Sequence, residues 1–306
     1  LTHGTETARD SRRVQRPGRP FQVQAINPHP RGLLVLPVDE DLPNVQAVRP
    51  CRQWYPIAVT PLAADRPAWM TEMPLVVPEV NPEQIEDRPR GIIANPNCST
   101  IQMLVALKPI YDAVGIERVN VCTYQAVSGA GRELIEDLVR QTTSLLNGRP
   151  LEMKGPAKQI AFNAIPHIDV FLDNRYTKEE MKMVWETRKI LGDNDILVNP
   201  TAVRIPVFYG HSEAVHIETR EKISAEAVCD LMREAPGIEL VDGVDFGEYP
   251  TAVTDASGTD PVYVGRVRED ISHPRGIDLW VVSDNIRKGA ALNSVQIAEK
   301  LAKNYL

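Results

Sequence analysis

From about residue 75 onwards, stretches that alternate in polarity are interleaved with amphipathic stretches of helical length. The segment "ERVNVCTYQA" places Val119 and Val121 on one face, which is typical of a half-buried strand. The segment "GRELIEDLVRQTTSLL" instead repeats its leucines at helical spacing. Alternating strands have one covered face, whereas strands of an all-parallel sheet are continuous apolar runs. The pattern predicts an α+β domain on a mixed or antiparallel sheet, with helices on one face and the other face free for an interface.

The remaining elements of this part of the chain are predicted from the same periodicities. We expect a helix from Cys98 to about Val114, a helix that Ser224 caps, and further helices in "YTKEEMKMVWETRKIL" and "KGAALNSVQIAEKLAKNYL". We expect short strands at Val76–Val77 and in "RGIIANP", two strands joined at Tyr209–Gly210, and later strands in "PVYVGRVRED" and "IDLWVVSDN".

Residues 1–74 differ from the rest of the chain. Prolines recur throughout, the basic residues are arginines alone, and the first lysine is Lys108. Only "GLLVLPV" resembles a strand, and no apolar period of helical length is visible. We therefore expect residues 1–74 to be poorly ordered or loosely packed.

Length and composition exclude several classes of protein. A chain of 306 residues is long for one core, so two domains are expected. A net charge of −7 argues against nucleic acid as the main partner, and no apolar run is long enough to span a membrane. The four cysteines are scattered without a CxxC pair, which predicts neither a metal site nor a disulfide framework. A reducing cytoplasm fits this pattern best.

Cys98 lies where an apolar strand gives way to a helix. Pro96 ends the strand, and apolar residues then recur at helical spacing. A helix N-terminus favours an anion, so we expect the pKa of Cys98 to be lowered and its thiolate to be reactive. The alternative is a cysteine that acts as a small buried apolar residue.

A nucleophilic cysteine needs a base and a group that recognises the substrate. His211, after Gly210 at a strand edge, is the leading base, although it could instead be a core or surface histidine. His216 is the competitor and fits more simply as a strand residue. Arg204 is an arginine among apolar residues and needs an anionic partner, either a bound carboxylate or an internal salt bridge.

Two further stretches carry weaker signals. In "TYQAVSGAG" a strand ends at Gln125 and small residues such as Ser128 and Gly129 follow, which would let a ligand or another chain approach closely. Glu179 and Lys182 are three residues apart on a helix, which is usual on a solvated face. Lys182 could equally present its ammonium group to an inorganic anion.

Five motifs together resemble the aspartate-semialdehyde dehydrogenase family: "NPNCST", "TYQAVSGAG", "FNAIPHID", "RIPVFYGHSEAVHIE" and "DNIRKGAALNSVQIAE". They occur in the family's order over about residues 75–306. The resemblance implies an NAD(P)-binding Rossmann-like domain of the α/β class and an α+β catalytic and dimerisation domain like that of glyceraldehyde-3-phosphate dehydrogenase. It implies domain boundaries of 1–97, with 1–74 atypical, 98–283 and 284–306, the last a helix that returns to the nucleotide domain.

The resemblance also implies roles for the reacting and substrate-binding residues. Cys98 corresponds to the nucleophile that forms an acyl thioester, and His211 to the acid/base. Gln125 corresponds to the residue that orients the substrate, and Arg204 to the residue that binds its α-carboxylate. Glu179 is similar to the family's substrate-contacting glutamate.

Five more positions match the family's phosphate and cofactor residues. Asn97 and Lys182 match phosphate-binding positions, Ser128 and Gly129 a cofactor-contacting turn, and Asn285 the nicotinamide-side asparagine. The resemblance thus implies an NADP-dependent enzyme that interconverts L-aspartate 4-semialdehyde plus phosphate and L-4-aspartyl phosphate. Such an enzyme serves lysine, threonine and methionine synthesis and forms a homodimer or homotetramer in the cytoplasm.

The first 74 residues depart from the family pattern. They contain only Gly4, Gly18 and Gly32, so the glycine-rich turn that cradles the NADP phosphates is not found. The stretch "RPAWMTEM" also lacks the arginine by which the family helps to bind phosphate. Three alternatives therefore stay open: an enzyme with a diverged cofactor site, an inactive frameshifted or truncated paralogue, and a related N-acetyl-glutamyl-phosphate reductase.

Overall fold

The structure, a computed structural model, describes residues 58–61, 72–153 and 158–305. The strands are β1 (Ala58–Pro61), β2 (Ile92–Asn95), β3 (Ile116–Gln125), β4 (Leu197–Arg204), β5 (His211–Thr219), β6 (Ile238–Leu240), β7 (Val262–Glu269) and β8 (Gly276–Ser283). The helices are α1 (Cys98–Val114), α2 (Arg132–Leu146), α3 (Lys178–Leu191), α4 (Ala225–Glu234) and α5 (Leu292–Asn304). The elements predicted from the alternating and helical periodicities in residues 98–283 are all present.

Six strands form a mixed sheet in the order β4-β3-β5-β8-β7-β6. Strand β3 pairs in parallel with β4 and antiparallel with β5, and β5 and β7 both pair antiparallel with β8. This agrees with the mixed sheet predicted from the alternating strands. The two strands expected around Tyr209–Gly210 exist, but they are not neighbours, because β3 lies between β4 and β5.

One face of the six-stranded sheet carries the main hydrophobic core. Apolar residues of α1, including Ile101, Leu104 and Leu107, pack there with Met183 of α3 and Val228 of α4. Helix α1 is apolar over nearly its whole length, which is expected for a helix surrounded by other elements. The helices thus cover one face, as the alternation of β3 predicted.

The opposite face of the central strands is only partly covered. Its side chains on β3, β5 and β8 are half-buried, among them Cys122, Tyr124, Ala214, His216 and Trp280. The rings of Tyr124 and Trp280 lie 5.7 Å apart across this face. It therefore presents a surface of mixed apolar and polar side chains.

A smaller layer forms around β1 and β2, which pair in parallel. Ile297 and Leu301 of α5 pack there on Val76, Ile85 and Ile93. The prediction of a strand at Val76–Val77 was wrong, because pairing with β2 is limited to a single bridge between Leu75 and Ala94.

Within residues 1–74, the structure describes residues 58–61 and 72–74. The strand Ala58–Pro61 was not predicted. Met73 is fully buried in the main core, so loose packing does not hold there. The strand expected in "GLLVLPV" and the absence of a glycine-rich turn lie outside the described residues.

Two further observations concern classes of protein that composition had excluded. Among residues 58–61, 72–153 and 158–305, no helix is both long and apolar enough to cross a membrane. Nor does this part of the chain bring together three or more His, Cys, Asp or Glu residues in a group that would hold a metal ion.

Candidate active site

The predicted site residues meet at one end of the six-stranded sheet, on the face that α1 covers. Gln125 ends β3, Arg204 ends β4, and the two are paired in register. His211 begins β5 one position beyond the pairing of Tyr124 with Ser212. Since side chains alternate along a strand, this register turns Gln125, Arg204 and His211 to the same face.

Helix α1 begins at Cys98 at this same end of the sheet. Asn97 is its N-cap, and its side-chain oxygen accepts a hydrogen bond from the Ser99 N–H at 3.0 Å. Pro96 precedes this cap, so strand β2 ends and the helix starts within three residues. The prediction that Cys98 lies at a helix N-terminus is confirmed.

The expected lowering of the Cys98 pKa was wrong. Burial among protein atoms raises the pKa of this thiol to about 12, and the Glu179 carboxylate adds to the rise. Arg204 and the N–H of Ser99 lower it, but by less. The free protein therefore holds Cys98 as a thiol, because the loss of water outweighs the favourable helix terminus.

Asn97 joins α1 to α3 through two carboxylates. Its side-chain Nδ2 donates to Oε1 of Glu179 at 2.9 Å, and its backbone N–H donates to Oε2 of Glu186 at 2.8 Å. Glu179 and Glu186 are seven residues apart, so two turns of α3 place them on one face. The residue before Cys98 is therefore fixed through its backbone and its side chain.

Glu179 is buried, not on a solvated face as its spacing from Lys182 had suggested. Its Oε1 also accepts from Nε2 of Gln125 at 3.2 Å, and its Oε2 accepts from Lys182 at 3.2 Å. Gln125 in turn donates to the Ser99 hydroxyl at 2.8 Å. These bonds connect β3, α1 and α3 at the site.

Lys182 forms ion pairs with Glu179 and with Asp169, at 3.2 and 3.3 Å. Although burial lowers it, the two carboxylates hold the pKa of Lys182 above its usual value. An ammonium group has three N–H donors, and the two carboxylates take two of them. One donor of Lys182 is left for another anion.

His211 is fully buried at the start of β5. Its Nδ1 accepts a hydrogen bond from the Ala126 N–H at 3.0 Å, so a neutral ring carries its proton on Nε2. Burial, with the nearby positive charge of Arg204, lowers the pKa of His211 to about 3. Nε2 has no partner among the described residues, so it is a free donor.

Arg204 is buried and donates to main-chain and amide oxygens. Its Nη1 lies 2.7 Å from the Ala126 carbonyl and 3.4 Å from Oε1 of Gln125. Within the part of the chain that the structure describes, no carboxylate lies in ion-pair contact with this guanidinium. The internal salt bridge that the sequence left open is therefore not found among these residues, and the charge is available to an anion.

Gly129, in the short turn after β3, borders both of these side chains. A Cβ placed on Gly129 would lie 2.9 Å from Nη1 of Arg204 and 3.2 Å from Nε2 of His211. The glycine thus leaves a space between the guanidinium and the imidazole that any other residue would fill.

Asn285 forms hydrogen bonds to the turn after β3 and to the residue before β5. Its Oδ1 accepts from the Gly210 N–H at 2.9 Å, and its Nδ2 donates to the Ser128 hydroxyl at 3.0 Å. Gly210 has φ +86°, and a Cβ there would lie 2.8 Å from the Ala252 carbonyl oxygen. The ten residues predicted from the sequence therefore belong to one region, linked by direct contacts or through neighbouring residues.

His216, the competing base, lies elsewhere. Its Nδ1 is 3.2 Å from Asp278 and its Nε2 is 3.7 Å from Asp270, on the half-exposed face of the sheet. It is a strand residue paired with carboxylates, as its alternation in the sequence favoured.

Three residues at the site were not predicted from the sequence. Glu186 could have been found from its spacing of seven residues from Glu179 on the same helix. Gly289 lies in a π-helical turn before α5, and a Cβ there would lie 2.8 Å from Cβ of Cys98. Glu213 is fully buried two residues after His211, where burial raises its pKa well above the usual range.

The chain is similar to proteins of known family. Residues 107–288 match the family described as semialdehyde dehydrogenase, dimerisation domain. An aspartate-semialdehyde dehydrogenase of Shewanella violacea is 69% identical over 235 residues, which cover 76% of this chain and 69% of the relative.

Two solved structures share the fold. That of aspartate semialdehyde dehydrogenase II from Vibrio cholerae complexed with ASA is 62% identical, with a TM-score of 0.77, and the match covers 83% of this chain and 74% of that one. That of aspartate semialdehyde dehydrogenase with NADP from Candida albicans is 27% identical, with a TM-score of 0.59 over 81% of this chain and 71% of that one. The chain therefore belongs to the aspartate-semialdehyde dehydrogenase family, a family of oxidoreductases.

Proposed function

We propose that the chain interconverts L-aspartate 4-semialdehyde plus phosphate and L-4-aspartyl phosphate with NADP, through a thioester on Cys98. The observation that carries this proposal is the space at Gly129, which is bordered by the buried Arg204 guanidinium and by the unpartnered Nε2 of His211. A carboxylate and a reacting carbonyl oxygen would satisfy these two donors. The Vibrio cholerae structure complexed with ASA supports the same substrate.

In this proposal, Arg204 binds the substrate carboxylate. Arg204 is only 7% exposed, and among the described residues its hydrogen-bond partners are the uncharged oxygens of Ala126 and Gln125, so its charge can pair with a bound carboxylate. Gln125 lies between Arg204 and Ser99 and would hold the substrate against Cys98. Glu179 would contact the substrate as a buried carboxylate.

His211 acts as the proton donor to the substrate oxygen. Its Nδ1 is held by the Ala126 N–H, so Nε2–H is the group that faces the site. A neutral imidazole can donate a hydrogen bond to the oxyanion and deliver its Nε2 proton, which is replaced by the proton that the Cys98 thiol loses when its sulfur attacks the substrate carbon. This role suits the reduction of an acyl group, in which the thiohemiacetal oxygen must be stabilised and protonated.

Phosphate would bind at the side of the site formed by Asn97 and Lys182. Lys182 keeps one free donor beside its two carboxylate partners. Asn97 is adjacent to Cys98 and is held by α3, so a phosphoryl group bound there would be next to the thioester carbon.

NADP would contact the turn after β3, where the resemblance places Ser128, Gly129 and Asn285. Asn285 fixes this turn, because it bonds both the Ser128 hydroxyl and the Gly210 N–H. When bound there, the nicotinamide would exchange a hydride with the substrate carbon that Cys98 holds. The Candida albicans structure with NADP supports this choice of cofactor.

The assay that tests this function is phosphate-dependent reduction of NADP by L-aspartate 4-semialdehyde. We expect turnover by the 306-residue chain, none by Cys98→Ser, and a rise in KM for Arg204→Met. Arg233→Met is the matched control, because Arg233 is an exposed arginine of α4 that pairs with Asp230 on the same helix. Absence of both turnover and saturable NADPH binding in the folded chain would refute the proposal.

The same proposal includes a cytoplasmic homodimer in the synthesis of lysine, threonine and methionine. The match to a dimerisation domain indicates an oligomer, and the half-buried side chains of β3 and β5 offer the surface for it. We expect Ala214→Arg, in the middle of that face, to shift the sedimentation coefficient to that of a monomer. Val295→Arg, on the exposed side of α5, is the control that leaves the dimer intact. A dimer that persists in Ala214→Arg would contradict the proposed interface, and a wild-type tetramer would contradict the proposed homodimer.

A further inference from the structure

Glu186 lies beneath the turn that carries the nucleophile. It is 2% exposed, and its Oε2 accepts the backbone N–H of Asn97 at 2.8 Å. This bond joins residues that are 89 positions apart in the chain. It links α3 to the backbone of the turn from β2 into α1.

The other contacts of Asn97 explain why this bond matters. Its side chain already caps α1 through Ser99 and donates to Glu179. The side-chain bonds fix the amide group but not the preceding peptide. That peptide is held at both ends: the carbonyl of Pro96 accepts from Nδ2 of Asn95 at 3.1 Å, and the N–H of Asn97 donates to Glu186. Glu186 is the one of these two partners that ties the peptide to α3, so the direction in which the chain enters Cys98 depends on it.

The position of the Cys98 side chain is also restricted by a contact from another part of the chain. The π-helical turn that precedes α5 brings Gly289 against the Cys98 side chain, so close that a Cβ there would lie 2.8 Å from Cβ of Cys98. The thiol is thus set from one side by the Asn97 peptide and from the other by Gly289.

We infer that Glu186 is a positioning residue that, through the Asn97 peptide, directs the Cys98 thiol into the site. This inference rests on the proposed function in taking Cys98 as the nucleophile. None of the described hydrogen bonds of Glu186 goes to a proposed reacting group, so its effect on the chemistry passes through Asn97 and the neighbouring Thr100 of α1.

The part that Glu186 plays is that of a hydrogen-bond acceptor. Burial raises its pKa to about 7, while the bond from Asn97 lowers it. Glu179 and Lys182 face it from the same helix, with opposing effects. Either protonation state offers a carbonyl oxygen to the Asn97 N–H, so the amide of glutamine should replace it.

Glu180 provides a matched control on the same helix. It is buried, and its carboxylate accepts the backbone N–H groups of Thr177 and Ala202 at 2.7 and 3.0 Å. Removing it should destabilise the fold in the same way as removing Glu186, without a direct contact to Asn97 or Cys98.

The test compares Glu186→Ala, Glu186→Gln and Glu180→Ala in the full chain, well below their unfolding temperatures. The rate at which iodoacetamide alkylates Cys98, followed on its peptide by mass spectrometry, is measured against pH. In Glu186→Ala the released turn exposes the half-buried thiol further, so we expect its apparent pKa to fall by about one unit. We expect Glu186→Gln and Glu180→Ala to keep the wild-type profile.

A second readout is the kcat of the dehydrogenase assay. A misdirected thiol should lower kcat by about tenfold or more in Glu186→Ala, with the KM for the aldehyde nearly unchanged. Wild-type alkylation and kcat in Glu186→Ala would overturn the inference, as would failure of Glu186→Gln to restore them. The alkylation profile needs no turnover, so it tests the inference even if the wild-type chain lacks dehydrogenase activity and the proposed function fails.

Discussion

The Nδ1 atom of His211 accepts the backbone N–H of Ala126, and the carbonyl of the same residue accepts Nη1 of Arg204. One residue, directly after the end of β3, therefore orients both the imidazole and the guanidinium of the candidate site. Because the Ala126 N–H can only donate, the neutral ring of His211 must carry its proton on Nε2. This tautomer presents a donor to the site and gives the first prediction.

We expect His211 to stay neutral from about pH 4 to pH 8, with Nδ1 unprotonated, because burial lowers its pKa to about 3. Nitrogen-15 NMR of the histidine rings measures both properties, and His211→Asn identifies the signal by its loss. The unfolded chain binds this proton near pH 6.5, so this group favours the folded state above that pH and loses its contribution as the pH falls towards 3. A ring that titrates near neutrality would contradict the prediction.

Cys98 should react as a half-buried thiol of raised pKa in the free protein. With its pKa raised to about 12, the alkylation rate of Cys98 should increase with pH up to at least about pH 10. Cys98→Ser accounts for labelling of the other three cysteines, since the chain has four in all. A plateau below pH 8 would show instead that the helix terminus prevails over burial.

Glu186 should make stability depend on pH. Its folded pKa of about 7 is above the ordinary 4.5, so the folded state holds this proton more tightly between these values. Glu186 therefore stabilises the folded state most at low pH. As the pH rises from about 4.5 to about 7, this contribution to the free energy of unfolding decreases, by at most about 3 kcal/mol.

Urea unfolding of wild type and Glu186→Gln at pH 5 and pH 8 measures this dependence. We expect the free energy of unfolding of the wild type to fall, relative to that of Glu186→Gln, as the pH rises. Glu221→Gln, at an exposed position, should show no such difference. An equal difference at both pH values would count against a raised pKa.

Gly289→Ala should destabilise the fold by about 1–3 kcal/mol and reduce activity. Its added Cβ would meet Cβ of Cys98 at 2.8 Å, so the π-helical turn or α1 must move. Adding Cys98→Gly removes the opposing Cβ, so the double variant should recover most of the lost unfolding temperature. Additive losses in the double variant would mean that the two residues do not collide.

Lys288→Met should lower the free energy of unfolding by about 3 kcal/mol, because it leaves the carboxylate of Glu79 without its buried cation. Lys288 is 2% exposed and also donates to Asn293 and Gln296, so it joins α5 to the layer around β2. Thermal unfolding measures the loss, and Lys300→Met, at an exposed position of α5, is the control. Equal unfolding temperatures for the two variants would show that this network adds no stability.

The strands and helices of residues 98–283 were predictable because their signals are local. Helix α1 shows its start in Pro96 and Asn97, and β3 shows its covered face in Val119 and Val121. The order of the strands was not predictable in this way. Two apolar runs joined at Tyr209–Gly210 suggest neighbours, but the insertion of β3 between β4 and β5 depends on contacts that are distant in sequence.

The residues of the candidate site could be named from motifs, but their electrostatics could not. A position at a helix N-terminus predicts a low pKa for Cys98, whereas burial and Glu179 raise it. The spacing of Glu179 from Lys182 predicts a solvated face. In the structure Glu179 is instead buried and accepts hydrogen bonds from Asn97, Gln125 and Lys182. Each error arose because the surroundings of a side chain are set by elements far away in the chain.

The segment 205–210 passes over the end of β3, because β4 and β5 lie on either side of that strand. Bonds from Ile205 to Gln125 and from Val127 to Val207 tie it down at 3.0 and 2.8 Å. Its span is therefore set by the width of one strand, about 10 Å from β4 to β5. A deletion here would pull Arg204 and His211 out of register with each other, so insertions and deletions in this family should be rarer here than substitutions.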